Sequence, residues 1–183
     1  MEEKDAEENI ATHEKIKEFL TEKGVPFTLL THKACKTSEE SAQARGVSID
    51  SGAKALLIKD CGKNSKQIGI PYYLAVMSAS QKFASKEFKR IIGSKNIRFA
   101  SADEVTEITG CLPGAVPPFG SIFDIPIWVD RSLSRQDVIN FNCGLRTASI
   151  TMRYDDYIAA ECPKTHVFTE EELETDAFSE KEY

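Results

Sequence analysis

No apolar run in the 183 residues approaches the roughly eighteen that a membrane-spanning helix needs, which excludes a transmembrane segment. No basic stretch opens the chain. Glu2, Glu3, Asp5, Glu7 and Glu8 make the N-terminus acidic, which argues against a secretory signal or an arginine-rich transit peptide. The five cysteines, Cys35, Cys61, Cys111, Cys143 and Cys162, contain no Cys-x-x-Cys pair and are odd in number. That argues against a disulfide framework and a zinc site, and for reduced cytosolic thiols. No internal repeat, low-complexity block or interior linker interrupts the chain. No Ser-His-Asp or Cys-His arrangement can be argued from the order of its residues.

What is present fits one domain of ordinary size, with 41% hydrophobic and 28% charged residues. The net charge of −6 is unevenly placed. Residues 1–9 carry five acids and one lysine, and residues 170–183 carry seven acids and one lysine. The body between these ends is therefore mildly basic, at +4. Acidic ends of this kind read as solvated tails. A body at +4 is compatible with a polyanionic partner but weak as an argument for one.

Periodicity and punctuation predict mixed secondary structure. Helices are expected over 12–23, with Thr12 as cap and Gly24 as stop, and over 37–46, where Thr37 and Glu40 form a capping box. Further helices are expected over 83–92, over 101–110 behind a Ser101–Glu104 box, and over 154–160. Strands are expected over 25–31, 53–59, 68–78, 96–100, 125–130, 138–142 and 148–152. The 53–59 and 68–78 pair, joined by a polar turn over Cys61–Gln67, reads as a β-hairpin. Hairpins mixed with short helices favour a mixed, mainly antiparallel sheet over a βαβ array.

The most unusual stretch is Gly110-Cys111-Leu112-Pro113-Gly114-Ala115-Val116-Pro117-Pro118-Phe119-Gly120. Its three glycines and three prolines are neither helix nor strand chemistry. Proline stiffens such a loop, and glycine lets a ligand approach the backbone. One reading is a tight connector; the other is a preorganised pocket wall, with Phe119 as core filler beneath it.

This stretch resembles the Gly-x-x-Pro-Gly-x-Val-x-Pro-Phe-Gly signature of the YbaK/ProX aminoacyl-tRNA editing domains, the prolyl-tRNA synthetase-associated type. Residues 37–46 (TSEESAQARG), 52–57 (GAKALL) and 142–150 (NCGLRTASI) resemble other family segments in order and spacing. The resemblance spans about 10–160. It implies a mixed α/β (α+β) fold with a largely antiparallel, barrel-like sheet surrounded by short helices. The organisation expected is an acidic disordered tail over 1–9, the editing domain over 10–165 and an acidic C-terminal tail over 166–183. The resemblance also implies hydrolysis of the ester joining a wrong, small amino acid to tRNA. It implies no metal and no organic cofactor.

Residue roles follow from the same resemblance. Lys54 interrupts an apolar strand where the family bears its functional lysine, so it is expected to bind the terminal adenosine; the ordinary alternative is a solvent-facing lysine. Gly114 and Pro118 match the family's Gly-x-x-x-Pro element, whose backbone would hold the ester and supply an oxyanion donor. Ala115 and Val116 are expected to set the pocket's size. His32 is kept as a pocket residue, against the usual structural role of a lone histidine. Gly144 and Arg146 stand between an RNA-binding strand turn and an ordinary surface turn. Lys82, Lys86, Lys89 and Arg90 form a basic cluster, either a solvated helix face or an acceptor-stem patch. Asn142 and Cys143 stand near where some members carry a histidine.

Two functions of different class follow. The first is a cytoplasmic trans-editing deacylase acting on aminoacyl-tRNA. The second is a non-catalytic module of the same fold that docks tRNA or a synthetase, for which the acidic ends are the motivating feature. A thiol enzyme using Cys35 or Cys111 is the remote third reading, since nothing in the sequence lowers either pKa.

Overall fold

A computed structural model describes residues 2–35, 37–62, 69 and 71–179, with the backbone alone for 2–9 and 176–179. The strands and helices follow in the order β1 (Thr28–Thr31), β2 (Ala53–Asp60), β3 (Tyr72–Ser78), β4 (Ile97–Phe99), β5 (Ile127–Asp130), β6 (Val138–Asn142), β7 (Ala148–Arg153) and β8 (Lys164–His166), with α1 (Glu2–Glu22), α2 (Ser38–Arg45), α3 (Ser85–Ile91), α4 (Ala102–Thr109), α5 (Tyr154–Glu161) and α6 (Glu170–Ser179) placed between and around them.

The hairpin forms as its pattern requires, with Ala53 opposite Ser78 and Lys59 opposite Tyr72. Alternation along these strands is strict. Ala53, Leu57, Leu74, Val76, Ile127 and Val129 face the main core. Ile58, Ala75 and Met77 face a second cluster with Phe88 of α3 and Phe168. A sheet buried on both faces is why these strands read as near-continuous apolar runs. In the smaller sheet Ile139, Phe141, Ile150 and Met152 point into the main core. The intervening Asn140, Asn142 and Ser149 form its other, polar face, which α2 approaches through Arg45.

The predicted mixed α/β class is the observed one. The sheet, however, is not closed into a barrel. One antiparallel sheet has the order β1-β7-β6 and the other the order β4-β2-β3-β5-β8. Among the described residues, beyond their packed faces, they meet at the isolated bridge of Gly52 to Asn140. β5 returns parallel to β3, and β8 parallel to β5, because the chain between them crosses over the sheet instead of turning back. Both capping boxes form, Thr37–Glu40 on α2 and Ser101–Glu104 on α4, and Gly46 and Gly110 close these helices in left-handed conformation.

Other differences sit at the chain's ends. α1 begins at Glu2 and not near Thr12, so residues set apart for their charge have helical backbone. Beyond 165 the chain does not simply leave the body. Phe168, Thr169 and Glu172 are buried. Glu172 is ion-paired to Arg131 and Arg135, at 3.3 and 2.7 Å. β8 and α6 were missed because Lys-Thr-His has no apolar alternation and the acidic run lacks an apolar stripe. Most of the turn expected over Cys61–Gln67, and the first residues of the strand expected from Ile68, lie outside the described residues. Among the described residues no helix is long and apolar enough to cross a membrane.

Candidate active site

A cavity of about 290 Å³ opens between α2, the polar face of the small sheet, the start of β2 and the Gly/Pro loop. Small residues line much of it: Ser41, Ala42, Gly52, Ala53, Ala55, Ala79 and Gly114. Two cations, Lys54 and Arg45, line it with no acidic side chain among its described lining residues.

Lys54 lies on the side of β2 that carries Leu56 and Ile58. β3 ends opposite Ala53, and there the chain turns over the Lys54 side chain. The ammonium makes long contacts to the carbonyls of Ala79 and Gln81, at 3.5 and 3.4 Å. Among the described residues these are its hydrogen-bond partners. Burial pulls its pKa below the ordinary lysine value, and nearby Glu39 partly opposes the shift.

Arg45 ends α2 on the face that Ser38 and Ser41 share. Its Nη2 donates to Asn142 Oδ1 at 2.6 Å and its Nε to Ser149 Oγ at 2.9 Å. Asn142 then donates through Nδ2 to the Gly114 carbonyl at 2.7 Å. The Ser149 hydroxyl also lies 2.5 Å from His32 Nε2 and donates to Asn142 Oδ1 at 3.1 Å. One polar network thus ties α2, both long strands of the small sheet and the loop. Burial lowers the Arg45 pKa from its ordinary value.

The loop over 110–120 is held carbonyl by carbonyl. Leu112 O accepts from Ala115 N, and Pro117 O from Phe119 N, both at 2.9 Å. Pro113 O accepts two hydrogen bonds from the Arg146 guanidinium, at 3.1 and 2.7 Å. Ala115 O accepts from Gly144 N at 2.9 Å, and Pro118 O accepts from the Tyr157 hydroxyl at 2.8 Å. These hydrogen bonds are the source of the stiffness that the composition predicts. Phe119 is core filler, packed edge-on against Phe19, Phe141 and Tyr157.

Of the residues singled out from the sequence, Lys54, Gly114 and Val116 line one cavity. Others take different places. Ala115, expected to help set the pocket's size, is fully buried outside the cavity lining, with its N–H on Leu112 O. Pro118 is buried beneath the loop with its carbonyl occupied. At Gly144 φ is +88°, and a Cβ there would lie 2.8 Å from the His13 nitrogen. What lies against this glycine is the backbone of α1. Arg146 clamps the loop and is half-buried. His32 stands behind the cavity wall, in the network through Ser149, with Cys35 Sγ 3.6 Å from its Nδ1.

Lys82 and Lys86 are exposed and Lys89 is half-buried, all away from the cavity lining. Arg90 is committed to Glu87, with Nη2 at 2.5 Å from Oε1. Cys35 lines the cavity, while burial pushes the Cys111 thiol up and the Cys143 thiol up to about 12. Sequence reasoning did not single out Arg45, Ser41 or Ser149. A signal existed: Ser38, Ser41 and Arg45 stand three and seven residues apart on one helix face.

The aminoacyl-tRNA editing domain family matches residues 32–160. The multifunctional Ser/Thr-tRNA deacylase ProXp-y of Escherichia coli (strain K12) is 32% identical over 154 residues, covering 84% of this chain and 90% of that protein. A proline–tRNA ligase of Aromatoleum aromaticum is 29% identical over 115 residues, which are 61% of this chain and only 19% of the ligase. The solved structure of a proposed trans-editing enzyme for prolyl-tRNA synthetase superposes with a TM-score of 0.74 at 22% identity, covering 87% of this chain and 97% of that one. That likeness shows a common fold. The chain belongs to the aminoacyl-tRNA editing domain family.

Proposed function

We propose that this protein is a trans-acting deacylase that hydrolyses the ester between a mischarged small amino acid and its tRNA. The observation that carries the reading is the cavity itself, which pairs two cations with small, neutral walls beside a rigid loop. The Escherichia coli relative, named as a Ser/Thr-tRNA deacylase, spans nearly the same length. Serine and threonine are accordingly the first amino acids to test, and the Thr37, Ser38 and Ser41 hydroxyls along α2 suit a hydroxyl-bearing side chain.

An aminoacyl ester is already activated, so the protein's task is positioning. The Lys54 ammonium holds the phosphate–ribose end of the terminal adenosine, and Arg45 supplies the second positive charge. The Gly114–Val116 segment meets the aminoacyl group at a fixed distance because its backbone cannot retreat. A water molecule adds to the ester carbonyl and gives up a proton, and the tetrahedral oxyanion collapses with cleavage of the C–O bond, the departing ribose oxygen taking up a proton to become the hydroxyl. Lys82, Lys86 and Lys89 support the acceptor stem through charge, without reading sequence. Such a protein works in the cytoplasm, beside the synthetases that mischarge tRNA.

The test is deacylation across a panel of charged and mischarged tRNAs, with Lys54→Ala beside the wild type. Selective release that Lys54→Ala reduces by at least roughly a hundredfold is the expected result. A folded wild type that releases no amino acid from any member of the panel refutes the reading and leaves the non-catalytic docking module in its place.

A further inference from the structure

The ammonium of Lys54 rests on the carbonyls of Ala79 and Gln81, so whatever fixes those carbonyls fixes the lysine. They belong to the short segment between β3 and α3. On its other side this segment is paired with the chain's C-terminal part. Ala84 N donates to Phe168 O at 2.9 Å. Phe83 and Thr169 form an isolated antiparallel bridge. Glu170 N donates to Lys82 O at 3.0 Å. Gln81 Nε2 donates to the Glu171 carboxylate at 2.7 Å. The partners descend one by one from 84 to 81 as they ascend from 168 to 171, which makes a continuous four-residue antiparallel strap.

The strap is anchored in the body. Asp130 is fully buried. Its carboxylate accepts from Phe168 N at 2.6 Å, from Thr169 Oγ1 at 3.1 Å and from Ser132 N at 2.8 Å. Phe168 is buried edge-on against Phe88, with ring centroids 5.2 Å apart. One turn on, Glu172 is 1% exposed and takes both Arg131 and Arg135. These anchors hold a backbone that contributes nothing to the cavity lining. Residues 168–172, which these anchors hold, lie beyond residue 160, where the family match ends.

We infer that residues 168–171 are a positioning element for Lys54: by pairing with residues 81–84 they hold the segment whose Gln81 carbonyl aims the lysine into the cavity. The strap's effect on turnover rests on the deacylase reading above; its effect on Lys54 does not.

The experiment is the double variant Glu170→Pro/Glu171→Ala in the full chain. Residue 170 opens α6, a position where proline is tolerated, so the helix stays while the donor to Lys82 O is lost. The first readout is competitive amine acylation, followed by mass spectrometry, of Lys54 relative to exposed Lys33. The second is kcat and KM for deacylation. The expected result is a rise in the Lys54:Lys33 labelling ratio, with kcat down roughly tenfold at little changed KM and an unchanged circular-dichroism spectrum. A labelling ratio at or below the wild-type value overturns the inference. If the double variant does not fold, Gln81→Ala, which removes the tie from the other side, is read by the same criterion. A wild type without deacylase activity sinks the function and leaves the strap to be decided by the labelling ratio alone.

Discussion

Replacing Arg146 with alanine separates two roles for this side chain. If it binds RNA phosphate, its loss weakens tRNA affinity and leaves the fold alone. If it clamps the loop, its loss acts on stability. The guanidinium donates twice to Pro113 O, at 3.1 and 2.7 Å. A hydrogen bond from a charged donor contributes about 1.5–3 kcal/mol. Arg146 is half-exposed, and both bonds share one acceptor, so the lower end applies, about 1.5 kcal/mol. For a chain of this size each kcal/mol moves Tm by about 2–4 °C, which gives a fall of about 3–6 °C. Arg146→Lys keeps the charge but cannot span the carbonyl in the same way, so it recovers less than half of the loss. The assays are thermal melts of both variants and tRNA affinity measured against salt concentration. An unchanged Tm for Arg146→Ala, together with a salt slope reduced by about one, would refute the clamp and restore Arg146 to the RNA-binding surface.

Two further outcomes are expected. Gly144→Ala places a methyl group against the backbone of His13 at a φ of +88°, where neither side can yield cheaply. It should cost at least about 2 kcal/mol in denaturant unfolding, and a neutral result would remove the close α1 contact from the account. Lys54 has a pKa lowered by burial. Between the folded and unfolded values the unfolded chain binds more protons, so this group makes stability rise with pH in that window. Its charge is also lost at lower pH than an ordinary lysine's. Affinity for deacylated tRNA should therefore weaken on the alkaline side sooner for wild type than for Lys54→Arg, measured by fluorescence titration at constant salt.

How far the sequence carries depends on the range of the forces involved. Thr37 with Glu40, and Ser101 with Glu104, formed their capping boxes because both partners stand within one helical turn. The hairpin of β2 and β3 was legible because alternation in two strands that follow one another along the chain settles it locally. The Gly/Pro loop was legible as rigid, since φ restriction is a property of each proline. Its pinning was not: the partners of Pro113, Gly114, Ala115 and Pro118 come from residues 142–157. The crowding at Gly144 was not legible for the same reason, because the atoms against it belong to α1.

By itself, then, the sequence determined the mixed α/β class, the capped helices, the stiff loop and, through ordered motifs, the family. Those features rest on neighbours along the chain or on residue types in fixed spacing. Only the tertiary structure decided that there are two sheets instead of one barrel-like one. It alone set Arg45 beside Lys54 in one cavity, turned Arg146 into a clamp, and packed an acidic C-terminal segment against the loop under Lys54. Each of these depends on hydrogen bonds, ion pairs or packing between residues far apart in sequence, whose geometry no local pattern carries.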